Sequence, residues 1–132
     1  MSKTNLIACL SAGALAVSLV ACSSQGDTRA AASPIGSYGS GDIVFRINAD
    51  GTTVGTDRSG NDWGKGTYVV QGDLITFTEQ WYAEAMGLGA CLGVPGQYRW
   101  SYEAPQMKFE PVSDTCERRA QAIRSTSWTR LD

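Results

Sequence analysis

From Gly36 to Leu131 apolar side chains recur at every second position, and glycine-rich turns interrupt the alternation at short intervals. Period two is the mark of a β-strand with one face buried and one in water, and a helix cannot satisfy it. Gly96–Glu103 is the clearest case: Tyr98, Trp100 and Tyr102 share one face, and Gln97, Arg99, Ser101 and Glu103 the other. Ile43, Phe45 and Ile47 repeat the pattern, as do Ile75 and Phe77 against Thr76 and Thr78, and then Met107, Phe109 and Pro111. Thr52–Asp57, Thr67–Gln71 and Thr126–Leu131 read as further strands, with Ser59–Gly66, which contains Trp63, as a loop. Asp50-Gly51, Gln71-Gly72-Asp73 and Ala104-Pro105 supply the turns. Seven or eight short antiparallel strands in chain order form either an up-and-down barrel or a sandwich. Closure into a barrel removes the exposed edges that invite aggregation.

Two segments leave this pattern. Residues 80–90 place Tyr82 and Met86 four apart, as in a short helical turn, and Gly87 and Gly89 stop it. Residues 114–124 are helical in character: Asp114 stands as a cap, Glu117 follows three later, and Cys116, Ala120 and Ile123 line one face. Both segments connect strands, so both are expected to cover one opening of the sheet.

The N-terminus carries a different signal. Residues 1–5 hold one positive charge, Leu6–Val20 is apolar, and Leu19-Val20-Ala21-Cys22 ends the run. About 15 residues is short of the ~20 that a spanning helix needs. This order of charge, apolar run, small residues and cysteine resembles the lipobox of bacterial lipoproteins. The resemblance implies a diacylglyceryl group on the Cys22 sulfur, palmitate among its acyl chains, and cleavage just before it. The alternatives are a soluble secretory leader that ends in cysteine and an uncleaved membrane helix. On the lipoprotein reading, residues 1–21 are a signal peptide, 22–37 are the lipidated cysteine and a small, polar tether, and 38–132 are the folded domain. The tether reaches ~20 Å on average, from ~5–6 Å times the square root of its length. Such a chain belongs to the cell envelope, anchored to a membrane outside the cytoplasm. With Ser23 after the cysteine, that is the outer membrane in a Gram-negative host and the outer face of the plasma membrane otherwise.

Four cysteines are present. Cys9 leaves with a leader and Cys22 takes the lipid, so Cys91 and Cys116 remain in the domain. An oxidising compartment favours a Cys91–Cys116 disulfide. The loop closed is about 25 residues, worth ~3 kcal/mol in the chain-entropy model. Two free buried cysteines are the other reading.

Several residues then resemble the lipocalin-like (calycin) barrels. Gly36-Ser37-Tyr38 stands where that group has Gly-x-Trp, with Tyr in place of Trp. Residues 66–78 are similar to a hairpin of small lipocalin-like bacterial domains. Arg130, on the last strand, stands where calycins keep an Arg that packs across the first-strand aromatic. The Gly96–Ser101 stretch, with Cys116-Glu117-Arg118-Arg119 and Trp128-Thr129-Arg130, also resembles secreted actinobacterial proteins of uncharacterised role. The resemblance implies an all-β, antiparallel up-and-down barrel of about eight strands with one short helix near the C-terminus. It also implies that Tyr38 and Arg130 close the barrel, that one end is open to a small apolar ligand, and that no catalysis follows from the fold.

Composition narrows the chemistry. The chain has no histidine, which removes a His general base, a Ser-His-Asp triad and a His-ligated metal. Its net charge is −2, and loss of Lys3 with a leader brings it to about −3, which disfavours a nucleic-acid partner. Asp57–Asp62 has only a faint likeness to a Ca²⁺ loop, without the twelve-residue pattern. No spacing among Glu79, Glu84, Glu103 and Glu110 singles out a hydrolytic pair. An enzyme is not expected, nor is a cofactor or a metal. Tyr98, Trp100 and Tyr102, with Trp81, Tyr82 and Met86 of the long loop, are the candidate ligand contacts; plain core packing of the first three and a loop stapled over the barrel end are the alternatives. Arg118, Arg119 and Arg124 form a small basic cluster, read as a solvated helix face or a contact for anionic headgroups. The expected partners are a membrane, through the lipid, and either a small hydrophobic ligand or an envelope protein that meets a filled barrel.

Overall fold

The computed structural model describes residues 33–132. The leader, Cys22 and most of the tether lie outside the described residues. Eight strands follow one another as β1 (Gly36–Ser40), β2 (Ile43–Ile47), β3 (Thr52–Asp57), β4 (Asp62–Gln71), β5 (Leu74–Tyr82), β6 (Pro95–Glu103), β7 (Gln106–Asp114) and β8 (Trp128–Arg130). Each pairs antiparallel with the next, and β1 pairs with β8, so the sheet closes into a barrel. One helix, α1 (Glu117–Arg124), lies between β7 and β8. Two 3-10 turns, Glu84–Met86 and Gly89–Cys91, lie between β5 and β6.

The alternation sets which side chains point inward. Tyr38, Ile47, Ile75, Phe77, Tyr98, Met107, Phe109 and Trp128 are buried in one cluster, with Ile43, Phe45, Tyr68, Trp100, Tyr102 and Ile123 packed against it. At the seam Tyr38 faces Arg130 and Gly39 faces Thr129. The Arg130 guanidinium lies 5.9 Å from the Tyr38 ring centroid and 5.6 Å from that of Tyr102. It also donates to Asp132 and to the Ile35 carbonyl, so the last strand is tied to the start of the first by charge as well as by the ladder.

The two ends of the barrel differ. The β2–β3, β4–β5 and β6–β7 hairpins gather at one end, where β1 also begins. Gly72 adopts φ +64 in the β4–β5 turn, a conformation that residues with a Cβ avoid. The long β5–β6 loop and α1 gather at the other end. There Cys91 and Cys116 stand at disulfide distance, with Cα–Cα 5.6 Å, and link the two covering segments.

Several elements depart from the sequence reading. The presumed loop at Ser59–Gly66 is largely the first half of β4. Its glycines hid the strand, yet glycines on both sides let it pair closely: the Trp63 ring occupies the space a Cβ on Gly55 of β3 would need, and the Tyr82 ring lies over Gly64. Trp63 is locked there by its indole N–H, which donates to the Thr56 carbonyl at 2.8 Å. β5 runs past Glu79 to Tyr82, helped by a register shift at Lys65/Gly66, so Tyr82 is a strand residue and not part of a helical turn. The helix begins at Glu117, after the end of β7. Asp114 therefore does not cap it; its carboxylate accepts the Cys116 N–H at 2.9 Å and is otherwise engaged inside the barrel end. The last strand spans only Trp128–Arg130.

Candidate functional site: a cavity beneath the helix

At the end covered by α1 the core does not fill the barrel. A cavity of about 100 Å³ remains, and it opens outward between the helix and the β5–β6 loop. Its floor is aromatic. Phe45 meets Phe77 at 5.6 Å and Trp128 at 5.8 Å between ring centroids, and Phe77 meets Phe109 at 5.6 Å. Trp63 and Tyr82 form the wall from β4 and β5, while Met86 and Leu88 of the loop and Ala122 and Ile123 of the helix frame the mouth.

Polar side chains interrupt this lining, among them Glu79, Arg119 and Trp128, while Thr126 and Trp63 donate to the Ala122 and Thr56 carbonyls. Glu79 continues the inward face of Ile75 and Phe77 and is 6% exposed. Gly66 on the neighbouring strand makes room for it, since a Cβ there would stand 2.5 Å from Glu79 Oε2. Burial pushes its carboxyl up to about 7, with the Arg119 charge pulling the other way. No cation stands at ion-pair distance from it among the described residues.

Arg119 comes from the helix and is 3% exposed. Its Nε donates to Asp114 Oδ2 at 2.8 Å, and its Nη2 to Asp114 Oδ1 at 2.7 Å and to the Val94 carbonyl at 2.8 Å. Tyr98 completes this cluster by donating its hydroxyl to Asp114 Oδ2. Burial works to raise the Asp114 carboxyl, but the hydrogen bonds from Arg119 and Tyr98 outweigh it and hold it below the usual range. Gly96 makes space for the pair, because a Cβ there would lie 2.5 Å from Asp114 Oδ2 and 2.7 Å from Arg119 Nη2. Burial, with Asp114 and Glu79 nearby, keeps Tyr98 and Tyr82 respectively as neutral phenols.

The remaining donors are unmet. Arg119 Nη1 and Trp128 Nε1 are buried and make no well-formed hydrogen bond among the described residues, although the Tyr82 hydroxyl lies close to the Arg119 guanidinium. A third such atom, Thr53 Oγ1, belongs to β3 and does not line the cavity. The arrangement is thus an apolar chamber with the buried Glu79 carboxyl beside it, while the two unmet N–H groups are sealed within the surrounding packing.

The residues singled out from sequence fall in different places. Tyr82 and Met86 line the cavity. Tyr98 is fully buried below it and acts through Asp114. Trp100 and Tyr102 pack nearer the hairpin end, where the Trp100 indole N–H donates to the Gly72 carbonyl at 3.0 Å. Trp81 points outward and is 44% exposed. Of the basic cluster, Arg118 and Arg124 are exposed, but Arg119 turns inward, contrary to a fully solvated helix face. The Asp57 carboxylate is occupied by Ser59 and Asn61 of its own turn. Among the described residues no group of acidic or cysteine side chains has the makings of a metal site, and no helix is long and apolar enough to cross a membrane.

The sequence reading missed Glu79, Arg119 and Trp128 as cavity residues. Glu79 carried a signal, a charge at an inward position of an alternating strand. Arg119 carried a weaker one, lying four before Ile123 on the helix face that meets the core. No protein-family model matches the chain, and no curated protein or solved structure gives a significant match.

Proposed function

We propose that this chain is an exported lipoprotein, anchored through Cys22, whose barrel is a non-enzymatic binding module for a small apolar ligand. The observation that carries the reading is the cavity of about 100 Å³ walled by aromatic rings and open at the helix end. Well-packed cores leave few voids larger than a water molecule. An apolar cavity of ~150 Å³ is enough to hold benzene. The space here therefore suits one ring or the first few carbons of a chain, with the rest of the molecule leaving through the mouth.

Native mass spectrometry of the protein purified from its own host tests this. A non-covalent apolar molecule of low mass is the expected result. A chain with no bound mass, whose cavity also fails to take up xenon, would overturn it. The anchor is tested separately: Cys22→Ser should abolish globomycin-sensitive processing, and an unchanged membrane fraction would remove the lipid from the account.

A second reading, a protein-interaction or envelope-structural module, draws on the outward-facing Trp81 and Leu92, 44% and 42% exposed. In-cell cross-linking should then lose a partner with Trp81→Ala. An unchanged set of partners would remove that surface from consideration.

A further inference from the structure

The open lining of the cavity decides which end of a ligand enters it, an inference that rests on the small-ligand reading above. Carbon makes up nearly all of that lining, and the polar groups around it are engaged or turned away. The Thr126 hydroxyl donates to the Ala122 carbonyl, and the Trp63 indole to Thr56. Arg119 directs its guanidinium to Asp114 and Val94. The unmet N–H groups of Arg119 and Trp128 are enclosed by protein atoms. Glu79 rests one carboxylate oxygen against Gly66 of β4. A hydroxyl or a charged group pushed into this space would lose its water with little in exchange, a loss of about fivefold or more in affinity. A methyl or methylene loses nothing there and meets Phe45, Phe77 and Phe109. Size sets the depth. Benzene, with six carbons, occupies an apolar cavity of ~150 Å³, so about 100 Å³ holds about four carbons.

We propose that the cavity receives the hydrocarbon end of an amphiphile, methyl first and about four carbons deep, and leaves the polar head outside in water whatever that head is. The segments that frame the mouth do not select a head by charge. Glu84 and Glu117, Arg118 and Arg124 are exposed there, and none of them forms an ion pair among the described residues. Arg118 lies against Gly87, between Met86 and Leu88 of the mouth. Exposed charges of mixed sign discriminate weakly between heads, because water screens each of them. Specificity therefore resides in the width and length of the tail. Carbons beyond the fourth pass between Met86 and Leu88 of the loop and Ala122 and Ile123 of α1, and there they gain little.

The barrel closes its sheet and core between Gly36 and Arg130, so residues 23–132 serve for the test. Ethanol to 1-octanol, with hexanoate and hexylamine, are titrated by NMR at pH 6.0, where the Glu79 carboxyl, raised to about 7, is neutral. Affinity should rise about fourfold per carbon up to about four carbons and less than twofold per carbon after that. Hexanoate, hexanol and hexylamine should bind within about threefold of one another. Nuclear Overhauser contacts should join the terminal methyl of hexanol to the Phe77 and Phe109 rings. Ala122 is exposed at the mouth, so Ala122→Trp should keep the unfolding midpoint and lose tenfold or more in affinity for hexanol. Phe109→Leu should move the ceiling to longer chains. A hexanoate or hexylamine more than tenfold tighter than hexanol, or contacts from Phe109 to the head methylene, would overturn the tail-first assignment and leave the small-ligand reading intact. So would an affinity that keeps rising fourfold per carbon to octanol. No binding of any member of the series would count against both readings.

Discussion

The two ends of this barrel differ in how their polar side chains are paired, although each keeps unmet buried atoms, Thr53 Oγ1 near the hairpins and two N–H groups near the helix. At the hairpin end the aromatic handles find a backbone acceptor: the Tyr38 hydroxyl donates to Pro34 at 2.7 Å, the Tyr68 hydroxyl to Asn48 at 2.5 Å and the Trp100 indole to Gly72 at 3.0 Å. At the helix end Arg119 and Trp128 each keep an unpartnered N–H, and Glu79 lies buried with its carboxyl raised. Buried polar groups are normally paired because each unpaired one costs ~1–3 kcal/mol. The helix end thus holds two unmet donors and a buried carboxyl, and it is also the end that holds the apolar cavity.

That contrast can be broken by substitution, and the largest effect belongs to the pair that holds the helix end together. Asp114→Ala leaves Arg119 buried without its partner and should cost about 3–5 kcal/mol in denaturant unfolding. An effect under 1 kcal/mol would mean that water enters freely and the end is not a sealed chamber. Replacing Cys91 and Cys116 together by Ala should cost ~3 kcal/mol, read the same way, because the link closes a loop of 25 residues. It should also raise hydrogen exchange in α1 and the β5–β6 loop more than in the hairpins.

Glu79 gives the sharpest pH signature. Its pKa is raised on folding from 4.5 to about 7. The folded chain therefore holds this proton more tightly than the unfolded one. The advantage is complete below pH 4.5, shrinks as pH rises through the folded value, and is gone above 7. Glu79→Gln should remove this dependence, so that the variant exceeds the parent by up to ~3 kcal/mol at pH 8 and approaches it at pH 4.5. Equal pH profiles would show the carboxyl to be solvated. Gly96→Ala should cost ~2 kcal/mol, since the added methyl displaces a buried, charge-paired side chain that has no room to move. The smallest change belongs to the hairpin end: Tyr38→Phe should cost ~1 kcal/mol by leaving the Pro34 carbonyl unmatched. Ligand binding should be untouched by that variant; a loss would join the two ends into one functional unit.

Much of the fold was legible because alternation is local. The inward parity of Ile43, Phe45 and Ile47, of Ile75 and Phe77, and of Tyr98, Trp100 and Tyr102 follows from the pleat and survives folding. The turns at Gly51 and Gly72 were marked by their residues. The strand through Trp63 was missed because glycines and polar residues read locally as a turn, whereas the close packing of Trp63 on Gly55 is a contact between strands. The cavity was less legible still. Trp100 and Tyr82 belong to similar aromatic runs, yet only Tyr82 reaches the chamber, because their strands run in opposite directions and carry the two rings to opposite ends.

What the sequence determined by itself is an all-β domain with strands in chain order, an inward aromatic face, a short C-terminal helix, and a chemistry without histidine. Those depend on the identity and spacing of neighbours along the chain. Closure between Tyr38 and Arg130 was expected from a family resemblance and not from local pattern; only the tertiary structure decided that Arg119 turns inward onto Asp114 and that Glu79 and Trp128 line one chamber. Those groups are brought together by closure of the barrel and by the docking of α1 across its mouth. Their energies depend on the water excluded between them, which no local pattern records.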